Sequence, residues 1–194
     1  MKKVLLLFVF VLLIDGCKTL ITSSNNRNTN WANKIELNGL YNLFKVDDNL
    51  FRSEQPNRKD MITLKNYGIK TILNLRHTKT DNCEAKNTNL EIQHITINTW
   101  TISYEDIVQS LKTINNSKKP VLIHCLHGSD RTGCIVAAYR MTNCNWTKDE
   151  AIKEFKEGGF GYHEKWFPNI LELLNNINIE QLKKDVSNKK LIFQ

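Results

Sequence analysis

One run limits what this 194-residue chain can fold into: Val121-Leu-Ile-His-Cys-Leu-His-Gly-Ser-Asp-Arg-Thr-Gly133. Val121 to Ile123 is a short apolar stretch that predicts a buried strand. Cys125 follows, then five residues, then Arg131, Thr132 and Gly133. Cys134 to Met141 is mostly apolar and built of helix formers, which predicts a helix. The order is therefore strand, tight loop, helix. A thiol sits where the strand stops and a guanidinium where the helix begins.

A loop wrapped ahead of a helix start turns successive backbone N–H groups inward, and the helix dipole adds partial positive charge. A dianionic phosphate fits that concavity. The predicted phosphate-binding residues are Leu126, His127, Gly128, Ser129, Asp130 and Arg131, with Arg131 adding a planar two-pronged grip. The same field favours a thiolate at Cys125, placed to attack the bound phosphorus. Gly128 supplies the backbone freedom that such a loop needs. Thr132 is positioned to bond the thiolate or to direct water.

The stretch His124-Cys125-Leu-His-Gly-Ser-Asp-Arg131-Thr-Gly133 resembles the signature of the cysteine-dependent protein tyrosine phosphatase superfamily, on its dual-specificity side. Leu50-Phe-Arg-Ser-Glu-Gln-Pro56 and Gly68-Ile-Lys-Thr-Ile-Leu-Asn-Leu-Arg76 resemble the opening of bacterial dual-specificity-like phosphatases. Gly158-Gly-Phe-Gly-Tyr-His-Glu164 resembles a segment that follows the loop in the same group. The similarity covers roughly residues 40–178. It implies hydrolysis of phosphate monoesters through a phosphocysteine intermediate, with Cys125 and Arg131 catalytic, His124 and Thr132 supporting, no cofactor and no metal. Arg76 and His163 are candidates to line the pocket, though a surface charge and a turn histidine explain them equally well.

The proton for the leaving group is a separate question. Most members of the superfamily supply an Asp from a loop ahead of the Cys strand, and Asn98-Thr-Trp-Thr-Ile-Ser103 holds no carboxylate. Asp130 lies within the loop beside Arg131, as in the myotubularin branch, where the matching Asp is implicated as the acid. That resemblance makes Asp130 the first candidate. Asp106 is second, since capping a helix begun at Ser103 accounts for it.

Repeating apolar periods give the rest of the domain. Strands are predicted at Tyr41 to Val46, Asn49 to Ser53, Ile69 to Leu75 and Leu90 to Ile97. Asn57 caps a helix with Met61, Ile62 and Leu64 inward, ending at Gly68. Ser103 with Asp106, and Thr147 with Glu150, read as capping boxes of two further helices, one burying Ile107, Leu111 and Ile114, the other Ala151, Ile152 and Phe155. Thr78 to Asn89 reads as a polar loop and Ile170 to Ile177 as the last helix. Strands alternating with helices predict an α/β fold with a mainly parallel central sheet flanked by helices. Ligands of such sheets bind beyond the C-terminal strand ends, where Cys125 falls.

Before the domain, Lys2 and Lys3 precede an unbroken apolar run from Val4 to Ile14, and Leu13-Ile14-Asp15-Gly16-Cys17 looks like a bacterial lipobox. The expected organisation is a signal peptide at 1–16, a lipidated Cys17 and flexible tether at 17–35, the phosphatase domain at 36–180 and a basic tail at 181–194. The implied location is an exported, membrane-anchored bacterial lipoprotein, on the periplasmic or cell-surface side. The net charge of +7 is spread along the chain without aromatic interleaving, so nucleic acid is not an expected partner. A mild positive field suits phosphorylated substrates and anionic surfaces. Five cysteines show no paired metal spacing. Cys134 is read as a buried residue, with pairing to Cys125 the alternative.

The expected partner is a phosphorylated protein or a small phosphorylated substrate, phosphotyrosine by default. Phosphoinositide or inositol-phosphate hydrolysis is the enzymatic alternative, since the Asp-Arg-Thr ending is shared with lipid phosphatases. That loop lacks the lysines many of them use. A non-catalytic phospho-binding pseudophosphatase is the other class, and the intact Cys125 and Arg131 argue against it.

Overall fold

The computed structural model describes residues 27–37 and 39–188. Six strands, β1 (Asn33–Lys34), β2 (Phe44–Lys45), β3 (Leu50–Ser53), β4 (Thr71–Asn74), β5 (Glu91–His94) and β6 (Val121–His124), form one sheet in the order β1-β2-β3-β6-β4-β5. β3, β6, β4 and β5 run parallel, and β1 and β2 add an antiparallel edge. Six helices flank the sheet: α1 (Arg58–Tyr67), α2 (Tyr104–Asn116), α3 (Asp130–Asn143), α4 (Lys148–Glu157), α5 (Pro168–Asn176) and α6 (Ile179–Ser187).

Side chains alternate across a strand, so each face of the sheet recruits its own core. On β6, Val121, Ile123 and Cys125 join the large core packed by α2 to α6, while Leu122 joins Met61, Leu64 and Ile69 around α1. The same alternation sends His124 away from the side that holds Cys125. Ser53, His124 and Asn74 stand level in register, so β3, β6 and β4 end together and place the loop after β6 at their C-terminal edge.

Local signals set the helix starts. Asn57, Ser103 and Thr147 each close a capping box with the residue three positions on, Asp60, Asp106 and Glu150. Gly68 ends α1 in the left-handed region at φ 111°. Of the three residues expected on the inner face of α1, Met61 and Leu64 are buried, but Ile62 is 51% exposed. Ile62 directly follows Met61 on a 100° rotation, and a single helix on this face buries a narrow stripe only.

Two domain limits need correction. The segment expected as tether to residue 35 already belongs to the domain from Arg27. Ala32 is fully buried, its N–H donates to Glu154 Oε1 at 2.6 Å, and β1 pairs with β2. The Arg27 guanidinium donates to the carbonyls of Gly158 and Ala32 and stacks near Trp31, Phe44 and Phe160. The described part of the basic tail expected from residue 181 belongs instead to α6, capped by Asn178, with Leu182 buried and the Tyr104 hydroxyl donating to Asp185 at 2.8 Å. Its lysines masked the spacing of Ile179, Leu182 and Val186, an apolar stripe on one helical face. The signal peptide, Cys17 and residues 189–194 lie outside the described residues.

One buried ion pair ties the N-terminal strand to the helices. Glu154 accepts from Arg140 Nε at 2.8 Å and Nη2 at 2.9 Å, both side chains being buried, and also receives Ala32 N–H. Glu154→Gln should leave the Arg140 charge uncompensated in a place water does not reach. The expected loss is about 3–5 kcal/mol, read as a lowered denaturation midpoint in urea with an unchanged slope. A loss below about 1 kcal/mol would show that the pair contributes little.

Candidate active site

β6 delivers Cys125 to the sheet edge, where it is 2% exposed, and α3 begins five residues later at Asp130. The residue before α3 is Ser129, a type that usually caps a helix, yet its side chain makes no cap hydrogen bond. The first N–H groups of α3 are therefore left to a ligand, as an anion site requires.

The loop is held from outside by its carbonyls. Leu126 C=O accepts from Gln55 N–H at 3.1 Å, His127 C=O from Asn42 Nδ2 at 2.8 Å, and Gly128 C=O from Arg52 Nη2 at 2.7 Å. A trans peptide sets a C=O antiparallel to the N–H that follows it. Drawing three carbonyls outward thus turns the N–H groups of His127, Gly128 and Ser129 to the inner side. Gly128 has φ +70°, and a Cβ there would stand 2.4 Å from Ser53 O. Both the backbone angle and the close approach to β3 demand glycine.

Arg52 is the largest of these supports. It is fully buried on β3, its guanidinium lies 3.8 Å from the Phe160 ring centre, and its Nε has no partner among the described residues. Burial pulls the Arg52 pKa down to about 10, opposed first by the negative charge of Glu154. Arg52 stays cationic at neutral pH. In the sequence it is one residue of the strand expected at Asn49 to Ser53, and only the burial of all four residues of β3 shows that the charge needs a partner.

Arg131 lies in the first turn of α3. Its Nη1 rests against the carbonyls of Leu75 at 3.5 Å and Ile97 at 3.3 Å, and its Nε has no partner among the described residues. Thr132 is fully buried and its hydroxyl likewise has none. Both groups are donors available to a ligand oxygen.

Asp130 is bound by His163. Its Oδ1 accepts from His163 N–H at 2.9 Å, and His163 Nδ1 stands 3.0 Å from Oδ2. The His163 ring also lies 5.9 Å from that of His127. Asp106, by contrast, is occupied as the capping partner of Ser103. Within Asn98 to Ser103, Thr99–Thr101 forms a short 3-10 turn carrying Trp100, 63% exposed and edge-packed on Phe167. Leu126 is also exposed at the loop.

His124 is fully buried and paired with Asp81, Nε2 to Oδ2 at 2.7 Å. Asp81 comes from the stretch read as a polar loop, and nothing in its local sequence marks it. Gln55 Nε2 donates to Asp81 Oδ1 at 2.7 Å, and Arg76 Nη1 to Gln55 Oε1 at 3.3 Å. Arg76 is thus joined to the support of the loop. Cys83, Cys125, Cys134 and Cys144 are free thiols, and burial pushes the Cys134 thiol far up, which makes it inert.

Residues 50–173 match the family described as dual specificity phosphatase, catalytic domain. The chain is 25% identical over 151 residues to the dual specificity protein phosphatase TpbA of Pseudomonas aeruginosa, covering 77% of this chain and 68% of that one. The TpbA of a second strain of that species is 28% identical over 139 residues, covering 70% of this chain and 62% of its relative. The inositol diphosphatase DSP5 of Arabidopsis thaliana is 25% identical over 159 residues, covering 74% and 72%. Among solved structures, P. aeruginosa TpbA superposes with a TM-score of 0.74 at 23% identity over 84% of this chain and 99% of that one. The catalytic core of the PP-IP phosphatase SIW14 from S. cerevisiae does so with 0.65 at 20% identity, over 78% and 94%.

Proposed function

The chain belongs to the dual specificity phosphatase family, and from that premise we propose that it hydrolyses phosphotyrosine through a phosphocysteine on Cys125. The observation that carries this reading is the uncapped start of α3 facing the end of β6, with the loop carbonyls drawn outward. The inward N–H groups and Arg131 hold the three non-bridging phosphate oxygens. The Cys125 thiolate forms a bond to phosphorus as the bond to the ester oxygen breaks. The leaving oxygen takes a proton from the Asp130–His163 pair. Water then attacks the phosphocysteine, its proton returns to that pair, and inorganic phosphate leaves with the thiolate restored. Arg52 and Gly128 keep the loop in shape, and Thr132 offers its hydroxyl to the thiolate or to the incoming water.

An aromatic ester suits the surroundings. Leu126 and Trp100 present exposed apolar surface, and Leu126, His127 and Ser129 add no fixed positive charge for a second phosphate. Inositol phosphates are the second reading, favoured by the Arabidopsis relative whose name is inositol diphosphatase. A panel of phosphotyrosine peptide, phosphoserine peptide and inositol polyphosphates decides between them. The expected order in kcat/KM puts the phosphotyrosine peptide first. An inositol phosphate turned over more efficiently would reverse the substrate assignment and leave the chemistry standing.

The lipobox and apolar run add that the enzyme is exported and held at a membrane through lipid on Cys17. Several acyl chains hold a protein stably where one does so marginally. The full-length protein is expected in the membrane fraction, and Cys17→Ser should release it or leave the precursor uncut. A wild type that fractionates as soluble, with no lipid mass on Cys17, would sink the anchor.

A further inference from the structure

Two tryptophans, Trp100 and Trp166, stand largely in water on segments that are tied to the phosphate loop. Trp100 follows Ile97, whose carbonyl meets Arg131 Nη1 at 3.3 Å. Trp166, 67% exposed, follows His163, whose N–H and ring both meet Asp130. Phe167 joins the two segments, since the Trp100 ring packs edge-on against it with centroids 4.8 Å apart. We propose that Trp100 and Trp166 are specificity residues, forming an apolar wall for an uncharged, apolar side chain next to the phosphotyrosine of a peptide substrate.

The wall is built before anything binds. Trp100 N–H donates to Asn98 Oδ1 at 3.0 Å, and Asn169 Nδ2 donates to the carbonyls of Thr99 at 3.0 Å and Trp100 at 3.3 Å. Trp166 N–H donates to the His163 carbonyl at 3.0 Å, and the Tyr162 hydroxyl to the Phe167 carbonyl at 2.6 Å. Covering these rings therefore requires little ordering of backbone, and such anchors hold much of the energy of a contact. Single apolar side chains are ordinary on a protein surface, but two fixed tryptophans joined through a third ring beside a reacting centre mark a contact surface.

The occupant follows from position and charge. β6 lies inside the sheet, with Tyr41 ahead of β2 on one flank and Trp100 beyond β5 on the other. Tyr41 is exposed, and its neighbour Asn42 donates to the His127 carbonyl of the loop. A phosphotyrosine seated on Cys125 has its neighbours in the peptide only about 3.8 Å further along the chain on either side. They come to an opening rimmed by aromatic surface. Beside Trp166 the charges are mixed, for Glu164 pairs with Lys156 at 3.2 Å and Lys165 adds one positive charge. An anionic bilayer requires a basic cluster, typically ~4–8 residues, and the further phosphates of an inositol polyphosphate require cations as well. An apolar side chain requires neither.

The inference rests on the phosphotyrosine reading, and its test separates the two. The full chain, as wild type and as Trp166→Ala, is assayed for kcat and KM on phosphotyrosine peptides with leucine or serine directly before or after the phosphotyrosine. Wild type should favour leucine at one of these positions by about tenfold in kcat/KM. The gain should lie in KM, since a flank contact made equally in ground and transition states leaves kcat alone. Trp166→Ala should abolish the preference and Trp166→Phe should restore most of it. A tryptophan that only braced His163 would lower kcat on every peptide and leave the preference standing, and that result overturns the proposal. No preference in the wild type overturns it as well, whatever the variants do. If tryptophan emission then shifts to the blue on phosphatidylglycerol vesicles, and does not in Trp166→Ala, the wall belongs to a bilayer instead. Should an inositol phosphate outrun every peptide, the phosphotyrosine reading falls and the wall's role falls with it. Absence of preference with the phosphotyrosine peptides still ahead removes the wall alone.

Discussion

Cys125→Ser is expected to lower aryl phosphate turnover by at least about a thousandfold while the protein keeps its fold and still binds phosphate. The nucleophile is lost as a charge, because a serine hydroxyl stays neutral where a thiol ionises. Little else changes, since the side chains differ by one atom and the three carbonyl contacts that shape the loop come from Gln55, Asn42 and Arg52. Arg131→Lys should be impaired to a similar degree, for a point charge cannot span two phosphate oxygens as the fork does. Kinetics with p-nitrophenyl phosphate, together with circular dichroism and binding of inorganic phosphate, make the check. Appreciable turnover by the Ser variant would end the phosphocysteine mechanism.

Asp130→Asn carries the second large effect, and its size should depend on the substrate. A phenol of low pKa leaves without a proton, whereas a poor leaving group needs one. The expected loss is about a hundredfold to ten-thousandfold for poor leaving groups and only a few-fold for good ones. His163→Asn should show the same dependence, because its ring and the Asp130 carboxylate share the contact. Asp106→Asn should leave the kinetics alone and cost about 1 kcal/mol of stability, through the capping box of α2. Aryl phosphates of graded leaving-group pKa, assayed on all three variants, decide the question. A uniform drop for Asp130→Asn with a graded drop for Asp106→Asn would move the acid to Asp106. A uniform drop for both would mean that Asp130 serves the phosphate grip beside Arg131 and not the proton.

Much of the architecture was legible because its causes are local. A capping box needs only two residues three apart, and those expected at Ser103 and Thr147 both formed, while Asn57 caps α1 as expected and gains Asp60 as its partner. α6 was missed for the opposite reason. Its apolar stripe is narrow, and what makes it a helix is the contact of Leu182 and Val186 with a core assembled elsewhere. The tether's inner end was missed likewise, since the burial of Ala32 depends on Glu154, 122 residues away.

By itself the sequence determined the strand-loop-helix around Cys125, the place of Arg131 at the helix start and the need for glycine at 128. These follow from spacing, and spacing is written along the chain. Only the tertiary structure decided what holds that loop and what stands behind its nucleophile. Asn42 and Arg52 reach it from 85 and 76 residues away because β3 lies between β2 and β6. Asp81, 43 residues from His124, meets it because alternation on β6 sends that ring to the side opposite Cys125. A polar side chain acquires such a role from the neighbours that burial forces on it, and strand order, which no local period encodes, chooses those neighbours.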